Sequence, residues 1–360
     1  MHDRSTEPGS PLSDINSAAQ LYSINRSAIA PNEVNTSVAA LQVSDLVVQR
    51  SRRWVRSIDE NRLRMPDPEK DPKWWERQGA WYLRQLLRAE GLQLEHSIDT
   101  AAVVWLRGLS PDLAPGPAPY SGYAPPATFA ATLFKVFGVI GLMRASACAF
   151  LDENDGRIVR HVVAVPAAER AVSSHGWSAD LPWHMDGAYR PFQDNDPTLL
   201  TPPPRWLIFG VIKADPTVPM TVALVNAVTE RLSPRSLAIL KRPDFAVTTP
   251  DSVEQNRTFT SLPILDQDEK GNLISRYNKG HCLGLTTRAA DALHDFETVL
   301  NLPDVPLVLP VQSGDLVVID NWRCLHRRPA YTPTWTGKDR WFVRAYATAR
   351  PLGLNSRQLP

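Results

Sequence analysis

The stretch Leu181-Pro182-Trp183-His184-Met185-Asp186-Gly187-Ala188-Tyr189 sets an imidazole and a carboxylate two residues apart. On an extended strand, side chains at i and i+2 project to the same side, so His184 and Asp186 can reach one ion together. A second imidazole, His326, arrives about 140 residues later, just past Gly314-Asp315-Leu316-Val317-Val318-Ile319-Asp320-Asn321. Two imidazoles and one carboxylate form the facial triad, which holds non-haem Fe(II) and leaves positions open for co-substrate and oxygen. Alone, a His-x-Asp triplet says little, because a histidine bonded to a nearby carboxylate needs no metal. Three features strengthen this one. Gly314-Asp315, four apolar residues and Asp320-Asn321 read as a strand ending in a turn, with His326 just beyond. Arg340 and Arg344 are spaced i, i+4 on the next predicted strand, and Thr221 opens another.

Other parts of the chain must hold these groups. Residues 1 to about 32 lack apolar periodicity and read as a loose arm. Ser37 to Ser57 and Pro72 to Ala89 carry apolar residues at mostly helical spacing, with Trp74, Trp75, Trp81, Leu83, Leu86 and Leu87 on the inner side of the second helix. Ala101 to Leu109 reads as a strand, the Pro-rich stretch Ser110 to Pro126 as a loop, and Ala127 to about Leu142 as a buried helix. Short β-branched strands follow at Ile158 to Val165, Arg205 to Ile212, Leu307 to Leu309, Asp315 to Ile319 and Arg340 to Ala347. Helical inserts interrupt them at Pro234 to Lys241 and Thr287 to Leu300. The pattern predicts a mainly β fold with flanking helices, a jelly roll of two facing antiparallel sheets around a site. We expect one catalytic domain from residue 33 to 360, with its helical flank at 33–100 and its core at 101–350.

Composition narrows the function. Lysine plus arginine (39) nearly equals aspartate plus glutamate (38), so there is no electrostatic footprint for nucleic acid or an anionic membrane. Cys148, Cys282 and Cys324 fall into no metal-binding or redox spacing and read as reduced thiols of a cytoplasmic protein. The polar start Met1 to Pro8 does not read as a signal peptide, and the apolar run Phe129 to Met143, broken by Lys135, is too short to span a bilayer.

From about Ala101 to Ala349 the sequence resembles the clavaminate synthase-like branch of the Fe(II)/2-oxoglutarate dioxygenases, related to taurine dioxygenase. The likeness rests on the metal motif, on Val104-Trp105-Leu106-Arg107-Gly108-Leu109, on the Val162 to Pro166 strand, on Ser173-Ser174-His175-Gly176-Trp177-Ser178, and on Asp320-Asn321 through His326-Arg327-Arg328. The resemblance implies that His184, Asp186 and His326 bind Fe(II). It implies that Arg340 clamps the distal carboxylate of 2-oxoglutarate bidentately, that Thr221 adds a hydroxyl, and that Arg344 meets the acidic group of the substrate. Arg340 and Arg344 can exchange these roles. Amino-acid hydroxylases of the branch commonly carry Glu where Asp186 stands, and halogenating relatives have a small residue there, so the carboxylate counts against halogenation.

The implied activity couples decarboxylation of 2-oxoglutarate by O2 to hydroxylation of an unactivated C–H bond in a small amino acid or a derivative, in specialised metabolism. Desaturation, cyclisation, or a peptidyl or carrier-tethered substrate are alternatives within that chemistry. A non-catalytic jelly-roll binding protein and a zinc hydrolase are alternatives outside it. Arg276, in Leu273-Ile274-Ser275-Arg276-Tyr277-Asn278, stands where basic-amino-acid hydroxylases tend to be acidic, which implies a neutral or acidic substrate unless Arg276 pairs within the protein. Ser174 and Ser178 are candidates for the amino-acid backbone, or simple loop caps. His161, His175, His281 and His294 have no partner at ligand spacing and read as structural or surface groups, with His175 the one to watch because it precedes the motif. Cys324 reads as packing.

Overall fold

The computed structural model describes residues 38–88, 94–192, 201–251, 253 and 256–349, together with the backbone of 356–357. The expected N-terminal arm lies outside them. Asn35–Pro360 forms one compact unit.

The strands are β1 (Val38–Gln42), β2 (Val103–Arg107), β3 (Ser146–Phe150), β4 (Val159–Val163), β5 (Leu181–His184), β6 (Trp206–Lys213), β7 (Met220–Leu224), β8 (Phe245–Thr248) and β9 (Thr258–Leu262). They continue with β10 (Leu265–Gln267), β11 (Leu273–Ser275), β12 (Cys282–Gly284), β13 (Leu307–Leu309), β14 (Leu316–Asp320), β15 (Cys324–Arg328), β16 (Trp341–Thr348) and β17 (Ser356–Arg357). The helices are α1 (Asp45–Asn61), α2 (Pro72–Leu87), α3 (Leu94–Thr100), α4 (Ala130–Leu142), α5 (Val225–Thr229), α6 (Pro234–Leu240) and α7 (Thr287–Leu300).

Two sheets make the core. The major sheet runs β1-β2-β14-β6-β16-β3-β17, with β4 also paired to β16, and the minor sheet runs β13-β7-β15-β5. Strand alternation sorts their residues. Trp105, Phe209, Val317, Phe342 and Tyr346 of the major sheet meet Met220, Val222 and Cys324 of the minor one in the layer between them. The other face of the major sheet, with Ile208, Val343 and Ala345, is covered by α1, α2 and α4. The other face of the minor sheet, with Ala223 and Leu325, is covered by the inserted helices and short strands. This is the expected jelly roll.

Local chemistry explains the helical cover. Asp71 caps α2 by accepting the Trp74 N–H at 2.9 Å, with Pro72 in the first turn where its missing donor costs nothing. Gly79 of α2 and Gly138 of α4 let those helices touch, since a Cβ on Gly79 would stand 2.6 Å from the Gly138 Cα. Lys135 of α4 is buried, and its Nζ donates to the carbonyls of Ser110 and Gly314 at 3.0 Å each. Asp315 fixes the entry of β14, accepting from Trp105 Nε1 at 2.9 Å and the Gly108 N–H at 3.0 Å.

Two expectations need correction. Val38–Gln42 is a strand, not the start of a helix, and lies parallel to β2. Its apolar spacing suits either state, and the open edge of β2 supplies the hydrogen bonds that decide it. Trp81 is 61 % exposed, whereas Trp75, Leu83, Leu86 and Leu87 are buried. The contact stripe of α2 is centred on Gly79 and Leu83, and Trp81 falls off that face.

Candidate metal centre

His184 ends β5 and His326 lies on β15, directly opposite each other in the antiparallel register. Both point inward, so their rings lie 4.1 Å apart between centroids. The Nδ1 of His184 sits 2.7 Å from the Pro182 carbonyl, which fixes the proton on Nδ1 and turns the Nε2 lone pair toward the cavity. Asp186 lies beyond the strand end. There the chain turns through Gly187 at φ +75°, where a Cβ would come 3.1 Å from Pro203 Cβ. The Oδ1 of Asp186 is 3.4 Å from His184 Nε2 and 3.9 Å from His326 Nε2. One donor atom from each of the three residues falls within 4.8 Å of the others.

The donor chemistry suits a divalent cation. Burial, followed by the neighbouring His184, pushes the His326 pKa down to about 3, so its ring is neutral and offers a lone pair. Burial raises the Asp186 carboxyl, but Arg344 and the two imidazoles outweigh it and hold the group ionised, well below the usual carboxylate range. Asp186 Oδ2 accepts from Arg344 Nη1 at 2.6 Å, which leaves Oδ1 as the oxygen facing the imidazoles. This donor set fits Fe(II) with open positions. No protein group meets His326 Nδ1 among the described residues.

Several residues that build the site were not singled out from sequence. Asn321, fully buried, accepts the Asp186 N–H at 3.0 Å and donates to the Asp186 carbonyl at 2.9 Å and the Pro204 carbonyl at 3.0 Å. Glu153 lies in a turn whose next two residues, Asn154 and Asp155, take φ of 56° and 54°, a conformation Asn and Asp tolerate. Glu153 Oε1 accepts from Arg344 Nη2 at 3.2 Å and Tyr346 OH at 2.9 Å, with Arg160 Nη1 at 3.7 Å. Asp152 binds Arg190 through both oxygens, at 2.6 and 3.0 Å, and so ties down the loop after Asp186. Neither Glu153 nor Asp152 carries a motif; the tertiary structure brings them to the site.

The other sequence candidates divide. Arg340 lines the same cavity as the triad and is 4 % exposed. Its guanidinium lies 3.8 Å from the Phe342 ring centroid, and its Nε and Nη1 find no acceptor among the described residues. Burial lowers its pKa to about 10, so it remains a cation. Arg344 lines the cavity as well, but both terminal nitrogens are already engaged with Asp186 and Glu153. Ser174 lines it too, its Oγ accepting from Arg160 Nε at 2.6 Å.

Three candidates fall elsewhere. Thr221 is paired in register with Arg327, and its strand neighbour Ala223 packs into the outer cluster of the minor sheet. Met220 is the residue there that reaches the cavity, so Thr221 faces away by simple alternation. Arg276 donates to the carbonyls of Arg190 at 3.1 Å and Ala188 at 3.5 Å, supporting the post-motif loop instead of lining the cavity. Ser178 is exposed and donates to the Glu169 carbonyl at 3.1 Å, as a loop cap does.

Among the remaining histidines, His281 lines the cavity, with Nδ1 3.1 Å from the Thr248 hydroxyl. His161 is buried and accepts from Trp341 Nε1 at 3.0 Å. His175 has a buried Nε2 with no partner among the described residues, and His294 is exposed on α7.

Residues 231–346 match the family model described as taurine catabolism dioxygenase TauD, TfdA family. The L-asparagine oxygenase of Streptomyces coelicolor is 28 % identical over 202 residues, covering 55 % of this chain and 56 % of the relative. The chain thus matches about half the length of that curated relative. Among solved structures, asparagine oxygenase in complex with Fe(II), 3-hydroxyasparagine and succinate superposes with a TM-score of 0.68 at 24 % identity, over 86 % of this chain and 93 % of the other. The non-haem iron oxygenase OrfP, in complex with Fe, succinate and a dihydroxy-arginine, gives 0.67 at 19 % identity, over 86 % and 94 %. At these identities the two structures establish the fold.

Proposed function

We propose that this chain, which carries a TauD/TfdA-family domain, is an Fe(II)- and 2-oxoglutarate-dependent dioxygenase that hydroxylates an unactivated C–H bond of a small amino acid or amino-acid derivative. One observation carries the reading. A two-histidine, one-carboxylate donor set shares its cavity with a buried arginine, Arg340, that has no acceptor among the described residues. Buried charges are normally paired, so Arg340 is set for an anion from outside. A zinc hydrolase has no use for that arginine beside the metal.

Bound together, iron and 2-oxoglutarate supply the oxidising power, with O2 as oxidant and succinate and carbon dioxide as by-products. His184 and His326 would hold the ion through Nε2 and Asp186 through Oδ1, while Pro182, Asn321 and Arg344 keep those groups in place. Arg340 would hold the distal carboxylate of the co-substrate. Phe209, Met220 and Val162 give the cavity an apolar lining that restricts water.

The neighbouring wall supports an amino acid as substrate. Glu153 and Arg344 present opposite charges side by side, matching the ammonium and carboxylate of a zwitterion, and Ser174 stands beside them. Among the described lining residues, Glu153 and Asp186 are the only carboxylates. A cationic side chain would lack a counter-ion there, so the substrate side chain is neutral or acidic. The hydroxyasparagine of one related structure has such a neutral side chain, whereas the dihydroxy-arginine of the other is cationic. Three free cysteines fit the reducing cytoplasm, the compartment we assign. Among the described residues no helix is long and apolar enough to cross a membrane.

The test is a screen of amino acids for stimulated 2-oxoglutarate consumption in the presence of Fe(II), followed by mass spectrometry. The expected product is one oxygen atom heavier than its parent. The proposal is wrong if Fe(II) elicits no more succinate from the intact protein than from His184→Ala, with every amino acid tried.

A further inference from the structure

Arg328 lies two residues beyond His326 on β15, past a register irregularity, and lines the same cavity as Arg340. It is 5 % exposed. Its Nη1 donates to the Pro329 carbonyl at 2.8 Å and its Nη2 to the Ala179 carbonyl at 3.3 Å, so the guanidinium is fixed in place. The Tyr331 ring covers it at 5.1 Å. Its Nε has no partner among the described residues.

The hydrogen bonds engage two of its three nitrogens and leave its charge uncompensated. Asp180 and Asp215 are the carboxylates whose fields reach Arg328 and Arg340, and each is occupied elsewhere. Asp180 accepts the Ala330 N–H at 2.7 Å, and Asp215 accepts the Thr217 N–H at 2.9 Å. Neither arginine forms an ion pair among the described residues, and the charge of Arg328 disfavours that of Arg340. Two buried like charges without a counter-ion are costly in an empty protein and favourable around an anion.

Building on the co-substrate reading above, we infer that Arg328 is a second cation of the 2-oxoglutarate site, acting with Arg340 on the carboxylate farthest from the metal. Arg340 supplies the open donors. Arg328, held by two carbonyls, supplies a fixed charge and one N–H. The pair makes the site selective for a 2-oxo acid with a second carboxylate, and charge at position 328 matters more there than shape.

Calorimetric titration of the full chain loaded with Mn(II), without oxygen, tests this with two ligands of equal length. 2-Oxoglutarate carries the distal carboxylate and 2-oxopentanoate lacks it. Arg328→Gln should weaken 2-oxoglutarate roughly tenfold or more, while 2-oxopentanoate changes by less than about twofold. Arg328→Lys, which keeps the charge, should stay within about threefold of the parent for both ligands. An equal loss for both ligands in Arg328→Gln, or none for either, overturns the inference and leaves Arg328 as a clasp for the Ala179 and Pro329 carbonyls. The co-substrate reading fails separately, and visibly, if the unmutated protein with Mn(II) prefers 2-oxopentanoate or binds neither.

Discussion

The two sheets contribute opposite chemistry to one cavity. The minor sheet brings His184 and His326 from adjacent strands in direct register, and burial keeps the His326 ring neutral with a lone pair to offer. The major sheet brings Arg160 and Arg344, also in direct register, with Arg340 just before the strand that carries Arg344. Burial helps the first wall, because a desolvated imidazole stays neutral and able to ligate. It burdens the second, because a desolvated guanidinium needs an anion. The ion pair of Arg344 with Asp186 joins the walls. A metal wall can thus be complete before its ion arrives, whereas on the arginine wall Arg340 has no acceptor among the described residues and is completed by a ligand.

Breaking the metal wall should have the largest effect. His184→Ala or His326→Ala should weaken Mn(II) binding by more than about a hundredfold, beyond the range of outer partners, and abolish turnover; calorimetry on the folded variants checks this. On the arginine wall, Arg340→Ala should cost about 2–5 kcal/mol of 2-oxoglutarate binding, the usual loss for a buried charge-assisted pair, with Mn(II) affinity little changed. Unchanged co-substrate affinity would mean that the anion sits elsewhere.

Asn321→Ala tests how far the metal wall depends on its support. Asn321 clips the backbone of Asp186 but touches no donor atom, so Mn(II) affinity should fall about 10–100-fold.

A pH titration of stability probes the major sheet away from the cavity. Burial, with the neighbouring His175 and Arg157, pushes the His161 pKa down to about 4, and burial with Arg160 does the same to His175. Both therefore lie below their ordinary value of 6.5, and the unfolded chain binds more protons between these limits. Stability is fully present above pH 6.5 and declines as pH falls toward 4, by on the order of 3 kcal/mol for His161. Denaturant melts of His161→Gln should show a shallower decline. The smallest effect belongs to Thr221→Val, which faces the outside of the minor sheet and should alter 2-oxoglutarate affinity by less than about twofold.

Short-range pattern determined much of this protein. The i, i+2 spacing at His184 and Asp186, the strand and turn leading to His326, and the arginine pair at 340 and 344 sit within a few residues of the elements that aim them. Alternation along a strand is a local property, so these groups were legible. So were α2 and α6, with a proline start and a cap inside the segment, α7, capped by Thr286, and α4, by its apolar run.

What one segment cannot encode is its neighbour. Whether Val38–Gln42 became strand or helix depended on the free edge of β2. Thr221 opens its strand in the sequence, but the register with β15 turns Met220, not Thr221, toward the cavity. Glu153, Arg328 and Asn321 gained their places from contacts more than 130 residues away in sequence for Asn321 with Asp186, and from packing that no periodicity announces. Arg276 lost its expected place because two loop carbonyls needed a donor. Backbone geometry aims a side chain, but its meeting with a partner is fixed when distant strands pair, and only the folded chain contains that information.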